Sequence, residues 1–273
     1  MRDRKRILAV IMSVYKGDKV QYVKSAIESV LNQSYSAFDL YIQLDGPVMK
    51  DVDAYLSSLR DDRVVLFRRE NNLGLAESLN ELLAIVLSNN YSFIARMDAD
   101  DYCCLDRFQR QLDYYDAHPD VDCLGSWAIE VDEDDREYYR KKMPELHLDC
   151  FNLFRKRDCM IHPTVMFRSS FFERAGRYAT DTFFGEDTMM WAQGFSTGCV
   201  FANVPEFLYY FRIDEHFFER RRGWKYAKGI YELRHRVNRM LGFGIKEELY
   251  AIAYALAKLM PTGVLNYLYK TIR

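Results

Sequence analysis

The sequence lacks the motifs that define several common enzyme classes. No GxGxxG follows the first apolar segment, which counts against a dinucleotide-binding oxidoreductase. A P-loop GxxxxGK[ST] and a GxSxG nucleophile elbow are also missing. Basic residues are not in excess, because 38 Lys and Arg face 40 Asp and Glu, for a formal net charge of −2. A dedicated nucleic-acid-binding protein usually carries a strong basic excess, so we expect no nucleic-acid partner.

The cysteine pattern indicates neither a disulfide framework nor a zinc site. None of the six cysteines forms a CxxC pair, and no histidine pair has zinc-finger spacing. Adjacent Cys103 and Cys104 are poorly placed for a structural disulfide. We therefore predict that all six are reduced thiols in a cytoplasmic protein. The six are Cys103, Cys104, Cys123, Cys150, Cys159 and Cys199.

No segment is long and apolar enough to predict a membrane span. The longest uncharged stretch, residues 188–205, contains several polar residues and two glycines. Basic residues 1–6 and apolar residues 7–15 resemble a signal peptide, but Lys16-Gly17-Asp18-Lys19 follows in place of a small-residue cleavage site. We expect a buried strand there instead. With 273 residues, 49% of them hydrophobic, the chain can bury a sizeable core.

The first half of the chain alternates apolar strands with amphipathic helices. Such a βαβα order predicts an α/β fold with a mostly parallel sheet and helices on both faces. Ligands bind at the carboxyl ends of the strands in sheets of this kind, and both Asp45 and Asp98 follow predicted strands. The predicted strands are 7–14, 38–44, 64–67 and 93–97, and the predicted helices are 20–33, 75–87 and 108–119.

The second half is less regular, and its last part differs in charge. Residues 212–273 contain 13 Lys and Arg against 6 Asp and Glu, a charge of +7, whereas residues 1–211 carry −9. This change predicts a basic helical extension after residue 211. The other predictions are strands 122–131 and 200–204, an acidic turn at 130–137, short strands and loops over 140–185, and helices 187–198, 247–259 and 264–272.

Two acidic clusters could carry chemistry. Asp98, Asp100 and Asp101 lie within four residues of each other directly after a strand, and their mutual repulsion needs a compensating cation. Mg²⁺ and Mn²⁺ prefer such oxygen ligands and can bridge to a diphosphate. Glu186-Asp187 opens a helix after apolar residues, a setting in which a carboxylate can act as a general base. A purely structural role, in which the carboxylates cap the start of a helix, would explain either cluster equally well.

The ordered set of segments resembles the inverting glycosyltransferases of family 2, which have the GT-A fold. The resemblance covers roughly residues 7–216, with a DXD motif at Asp98-Ala99-Asp100 and an ED motif at Glu186-Asp187. It implies a Rossmann-like catalytic domain over residues 1–211, with a nucleotide-sugar half at about 1–101 and an acceptor half at about 102–211. The other matching segments are Ser13-Val14-Tyr15, Ser29-Val30-Leu31-Asn32-Gln33-Ser34-Tyr35, Asp45-Gly46, Asn72-Leu73-Gly74-Leu75, Ser78-Leu79-Asn80, His162-Pro163-Thr164 and Trp191.

The resemblance also implies a role for each site residue. Asp187 would be the catalytic base, and Glu186 would orient it or bind the acceptor. Asp98, Asp100 and His216 would hold Mn²⁺ or Mg²⁺. His162, Trp191 and Arg212 would contact the acceptor. The residues expected to bind the nucleotide are Ser13, Val14, Tyr15, Asp45, Asn72, Gly74, Arg96, Asp98 and Ala99.

The implied partners are a UDP-sugar donor and a glycan acceptor on an undecaprenyl-diphosphate carrier, in O-antigen, capsule or exopolysaccharide synthesis. The basic, aromatic-rich extension suits the inner face of the cell membrane, although a helical face packed on the catalytic domain would have the same composition. Two other functions stay open. A nucleotidyltransferase would need a Gly-rich basic loop after the first strand, and a non-catalytic binding module would be expected to lack Asp100 or Asp187.

Overall fold

The computed structural model describes residues 7–214, 217, 219–261 and 263–264. The strands are β1 (Leu8–Tyr15), β2 (Phe38–Asp45), β3 (Val64–Arg68), β4 (Phe93–Asp98), β5 (Tyr102–Cys103), β6 (Cys123–Val131), β7 (Glu137–Lys141), β8 (Met166–Arg168) and β9 (Phe201–Arg212). The helices are α1 (Val20–Leu31), α2 (Lys50–Ser58), α3 (Leu75–Ser88), α4 (Arg107–Ala117), α5 (His147–Phe154), α6 (Ser169–Ala175), α7 (Glu186–Ser196), α8 (Trp224–Met240) and α9 (Ile245–Ala257).

The described strands form one sheet in the order β3-β2-β1-β4-β8-β6-β9-β5, with β7 paired to β6. The first four strands are parallel, because β1 pairs in parallel with both β2 and β4, and β2 with β3. Strand β8 runs antiparallel to β4 and β6, whereas β6 and β9 are parallel. The predicted fold class, a mostly parallel sheet flanked by helices and followed by a helical extension, is confirmed.

The sheet separates two hydrophobic cores, which explains why β1 is apolar from Leu8 to Met12. Alternate side chains point to opposite faces of a strand. Val10 and Met12 pack on one face with α1, and Ala9 and Ile11 pack on the other with α3. A strand covered on both faces has no position at which water would stabilise a polar side chain.

The second half differs from the prediction of short strands and loops over 140–185, which is wrong where α5 and α6 form. Helix α2 was also not predicted. Each of these helices is short, and α2 and α5 bury only two side chains apiece, too few to produce a clear helical period.

Strand β9 continues to Arg212, well beyond the predicted end at 204. It does so by shifting its register with β6 on both sides of Trp127.

The basic extension packs against the rest of the protein. Helix α9 lies where a helix was predicted at 247–259, and it runs antiparallel to α8, since the Gly223 N–H donates to the Lys258 carbonyl at 2.9 Å. Helix α8 packs on α7, and Arg155 of α5 forms an ion pair with Glu247 of α9 at 2.7 Å. The predicted helix 264–272 lies almost entirely outside the described residues.

The described part of the chain shows the state of the cysteines and the character of the helices. All six cysteines lie in that part and are free thiols, as predicted. Over the same residues, none of the helices has the length and apolar character needed to cross a bilayer.

Candidate active site

The register of the parallel strands brings the predicted nucleotide-binding residues to one edge of the sheet. Tyr15 lies opposite Asp45 in the β1–β2 pair, and Ser13 lies opposite Asp98 in the β1–β4 pair. Tyr15 is 47% exposed at this edge, so its ring is available to a ligand. Val14 and Ala99 are buried, and therefore only their main-chain groups could contact one.

Asp45 is buried and fully engaged by the loop that precedes α3. Its carboxylate accepts the N–H groups of Leu73 at 2.8 Å and Gly74 at 3.0 Å, and it forms an ion pair with Arg69. The Asn72 amide donates to the Asp45 carbonyl at 3.0 Å. Asp45, which we expect to bind the nucleotide, thus also fixes the loop that carries Asn72 and Gly74.

A glycine is required beside Asp45. Gly46 has φ +81°, a conformation that side chains rarely adopt, and a Cβ there would lie 2.8 Å from the main-chain nitrogen of Asn72. The Asp45-Gly46 pair is therefore a close-packed turn that brings the 71–74 loop against the end of β2.

Three carboxylates form the acidic cluster at the end of β4. One oxygen each of Asp98, Asp100 and Asp101 lies within 4.8 Å of the others. Desolvation and the charge of Asp98 raise the pKa of Asp100 to about 6, and burial raises that of Asp101 well above its usual range. Sequence reasoning missed Asp18, a buried carboxylate whose pKa is raised to about 8 by burial and by Asp100 and Asp98.

Two arginines hold the acidic cluster in place. Arg96 is buried and forms an ion pair with Asp98. Arg212, predicted to contact the acceptor, donates its main-chain N–H to Asp101 at 2.7 Å and its Nε to the Asp100 carbonyl at 3.0 Å. The structure thus places Arg212 as a clamp on the loop of the acidic cluster, joining the end of β9 to the end of β4.

The donor set of this cluster fits a divalent cation. Its ligands are carboxylate oxygens, which Mg²⁺ and Mn²⁺ prefer, and they lie close enough together to share one ion. The raised pKa values of Asp100 and Asp101 record the repulsion and desolvation that a bound cation would relieve. His216, predicted as a further ligand, lies outside the described residues.

The Glu186-Asp187 pair begins α7, directly after Gly185. Gly185 has φ +79°, and a Cβ there would lie 2.3 Å from Leu233 of α8, so the turn is packed against the extension. Burial raises the pKa of Asp187 to about 8, with contributions from the charges of Asp158 and Glu186. An aspartate that retains its proton up to this range is matched to proton transfer near neutral pH.

Asp158 is a second residue that sequence reasoning missed. Its carboxylate accepts the Thr188 hydroxyl at 2.9 Å, and the Thr188 N–H donates to Asp187 at 2.7 Å. One threonine therefore joins the two carboxylates. No sequence motif marks Asp158, since it comes from a loop 29 positions upstream and only the fold brings it to α7.

The predicted acceptor residues His162 and Trp191 lie beneath the site. Trp191 is fully buried, with ring centroids 5.9 Å from His162 and 6.0 Å from Phe167. The His162 Nε2 shares a 2.9 Å hydrogen bond with the Tyr178 hydroxyl. Burial and the nearby charge of Arg96 hold the pKa of His162 well below its usual value, so the imidazole is neutral.

Tyr178 connects the two acidic parts of the site. Its pKa is raised by burial, lowered by Arg96 beside the acidic cluster, and raised by the charges of Asp187 and Glu186. The main chain of Tyr178 is fixed by the Asn80 side chain, which accepts its N–H at 3.0 Å and donates to its carbonyl at 2.9 Å. Tyr178 therefore lies near enough to Arg96 and to the pair on α7 to be affected by the charges of both.

Comparisons with known proteins agree with this geometry. The sequence profile of glycosyl transferase family 2 matches residues 9–176. The chain is 31% identical over 271 residues to the amylovoran biosynthesis glycosyltransferase AmsE of Erwinia amylovora, covering 98% of this chain and 99% of the relative. It is 25% identical over 276 residues to a UDP-Gal:alpha-D-GlcNAc-diphosphoundecaprenol beta-1,3-galactosyltransferase of Escherichia coli, covering 100% of this chain and 98% of the relative.

Solved structures have the same fold. Residues 1–349 of TarS from S. aureus, in complex with UDP-GlcNAc, superpose with a TM-score of 0.68 at 16% identity, over 92% of this chain and 72% of that one. The mannosyltransferase PcManGT from Pyrobaculum calidifontis, in complex with GDP-Man and Mn²⁺, superposes with a TM-score of 0.64 at 14% identity, over 99% and 81%. With its fold, its DXD-like acidic cluster and the profile match over more than half its length, this chain belongs to glycosyl transferase family 2.

Proposed function

We propose that this protein is an inverting, metal-dependent glycosyltransferase that moves a sugar from a UDP-sugar to a hydroxyl group of a lipid-linked glycan. The observation that carries the proposal is the presence of two separate acidic groups, a cation-suited cluster at the end of β4 and Asp187, whose pKa is raised to about 8. Displacement of a diphosphate by a hydroxyl group needs these two functions at once.

The donor would lie at the carboxyl edge of β1, β2 and β4. Asp98 and Asp100 would hold Mn²⁺ or Mg²⁺, which neutralises the diphosphate as it leaves. Arg96 and Arg212 keep these carboxylates in position, and Tyr15 would contact the nucleotide base beside the loop fixed by Asp45. The UDP-GlcNAc complex of TarS and the UDP-Gal in the name of the Escherichia coli relative support a uridine donor.

Asp187 would accept the proton of the acceptor hydroxyl as its oxygen attacks the anomeric carbon. Its pKa of about 8 gives it more affinity for that proton than an ordinary aspartate has. The attacking oxygen and the leaving diphosphate are on opposite sides of the sugar, so a single displacement inverts the anomeric carbon. Glu186, its neighbour, would orient the base or bind the acceptor.

The names of two relatives support a lipid-linked acceptor. The galactosyltransferase that resembles this chain over its whole length is named for a GlcNAc-diphosphoundecaprenol acceptor, and AmsE is named for amylovoran biosynthesis. We propose an undecaprenyl-diphosphate-linked glycan in the synthesis of O-antigen, capsule or exopolysaccharide. The protein would then work at the inner face of the cell membrane.

The proposal is tested by screening UDP-sugars for UDP release by the purified full chain, with Mn²⁺, with Mg²⁺ and with a chelator. Asp187→Asn keeps the size of the side chain but removes its basicity, so turnover should fall by about a hundredfold or more. Asp113→Asn, on the exposed face of α4, is the matched control and should retain activity. If no UDP-sugar reacts, whereas a nucleoside triphosphate and a sugar phosphate release diphosphate, the protein is a nucleotidyltransferase and the proposal is wrong.

A further inference from the structure

Helix α9 and the turn that follows it expose a stripe of large apolar side chains along one face. They recur at helical spacing over four turns, and each is between 40% and 79% exposed. The stripe consists of Ile245, Leu249, Ile252, Leu256 and Met260. Single exposed apolar residues are ordinary on protein surfaces, whereas a continuous row of five marks a binding surface.

The opposite face of α9 explains why this stripe is turned outward. Its buried side chains are Ala251 and Glu247. Glu247 forms an ion pair with Arg155 of α5 at 2.7 Å and accepts the N–H of Gly244 at 3.0 Å. Helix α9 is therefore held against α8 and α5 by a small residue and a polar clamp, and among the described residues its largest apolar side chains remain exposed.

Exposed cations border the stripe at both ends. At the start of α9, Lys246 follows Ile245 in sequence and, with Lys156, lines a groove of about 350 Å³ that also includes Glu247 and Tyr250. At its end, the hydrogen bond from Gly223 to Lys258 brings the start of α8 alongside, with Trp224 (74% exposed) and Lys225. Apolar side chains flanked by lysines and an exposed tryptophan have the composition of an interfacial helix.

We propose that the α9 stripe is the surface by which this protein docks on an anionic lipid bilayer. The helix would lie in the plane of the interface, with the apolar stripe in the boundary between headgroups and acyl chains and the flanking cations against lipid phosphates. The charge at both ends favours a bilayer over a second copy of the chain. In an antiparallel pair of α9 helices, Lys246 and Lys156 of one copy would face Trp224 and Lys225 of the other, so like charges would meet.

The α9 stripe is a different membrane-binding surface from the basic cluster Arg220 to Lys228, which would attract a membrane by charge alone. Arg220 pairs with Asp214 at 2.6 Å, the Arg221 guanidinium lies 3.6 Å from the centre of the Phe217 ring, and Lys228 lies 3.6 Å from Glu232. Those three cations are held by partners within the protein, whereas Lys225 lies 4.3 Å from the centre of the exposed Phe183 ring and stays at the surface beside Trp224. The stripe contains none of the residues placed in the candidate active site, and the inference stands whether or not the proposed sugar transfer is correct.

The test is co-sedimentation of the full chain with vesicles of phosphatidylglycerol and phosphatidylethanolamine, and with neutral phosphatidylcholine vesicles. The double variant Leu249→Gln with Leu256→Gln should lose about tenfold or more of its vesicle partitioning, because two exposed side chains no longer enter the lipid. Met49→Gln with Leu105→Gln, two exposed apolar positions elsewhere, is the matched control and should bind as the unmodified protein does. High salt should weaken binding to the anionic vesicles without abolishing it.

An intact protein that ignores the anionic vesicles overturns the proposal, and so does binding that salt abolishes or that the control pair loses equally. Sedimentation velocity tests whether a second copy of the chain covers the stripe instead. If the unmodified protein is a dimer and the Leu249/Leu256 variant is a monomer, the stripe is a dimer interface. UDP release from a soluble UDP-sugar should be the same in both variants. Loss of vesicle binding is thereby distinguished from a failure of the proposed reaction.

Discussion

The pH dependence of turnover should respond to Asp158, which touches neither metal nor donor in the proposed site. If Asp187 is the base and its pKa in the free protein is about 8, kcat/KM falls about tenfold for each pH unit below that value, as the carboxylate takes up a proton. Replacing Asp158 with Asn removes a negative charge that raises this pKa. The acidic limb should therefore move to lower pH, and relative activity at pH 6 to 7 should rise.

The size of the shift is a general Coulomb estimate for two carboxylates that are bridged by one threonine. Two unit charges about 6 Å apart interact by about 3 kcal/mol at an effective dielectric constant of about 20, equivalent to about 2 pKa units. The Asp158 side chain is 40% exposed, so solvent screens much of this interaction and about 1 unit remains. Asn keeps an oxygen that accepts the Thr188 hydroxyl, so the local geometry is preserved.

The assay is kcat/KM for UDP release measured from pH 5 to 9 at saturating Mn²⁺. Asp181→Asn is the matched control, since Asp181 precedes the same helix but pairs with Arg236 at the surface, and its profile should equal that of the unmodified protein. An acidic limb that stays in place in Asp158→Asn, or moves to higher pH, would refute the assignment of Asp187 as the titrating base.

Two further predictions concern the frame of the site. Gly46→Ala should lower the free energy of unfolding by about 2–4 kcal/mol, because the strain of a positive φ adds to a clash with the main chain. Gly176→Ala should lower it by only about 1 kcal/mol, because Gly176 has φ +83° but no atom near its Cβ. Urea unfolding of both variants measures the difference. Tyr178→Phe leaves His162 without its hydrogen-bond partner and should cost about 1–2 kcal/mol, while UDP affinity is retained. Equal losses for the two glycines, or weaker UDP binding in Tyr178→Phe, would contradict these explanations.

The part of the fold that depends on doubly buried strands could be predicted from the sequence. Strand β1 is apolar from Leu8 to Met12, and β4 is apolar apart from Arg96 up to Asp98, so the position of Asp98 at a strand end could be predicted. Helices α2 and α5 could not be predicted, since each buries too few side chains to show a period. The length of β9 depends on its pairing with β6, which a local pattern does not contain.

Some residues of the candidate site could likewise be predicted from the sequence, and others could not. Carboxylates that follow a strand or begin a helix, such as Asp98 and Asp187, were found because their neighbours in sequence mark them. Asp158 and Asp18 were missed, since tertiary contacts alone bring them to those residues. Arg212 was identified as a site residue, but its hydrogen bonds to the loop of the acidic cluster could only be seen in the structure.

The central proposal is that one site has a metal-holding half and a separate base. Its most direct test is calorimetric titration of UDP into two variants, with and without Mn²⁺. Asp100→Asn should lose the Mn²⁺-dependent part of UDP affinity, whereas Asp187→Asn should keep it, although both lose turnover. UDP affinity that ignores Mn²⁺ in the unmodified protein, or that falls equally in both variants, would contradict this division of roles.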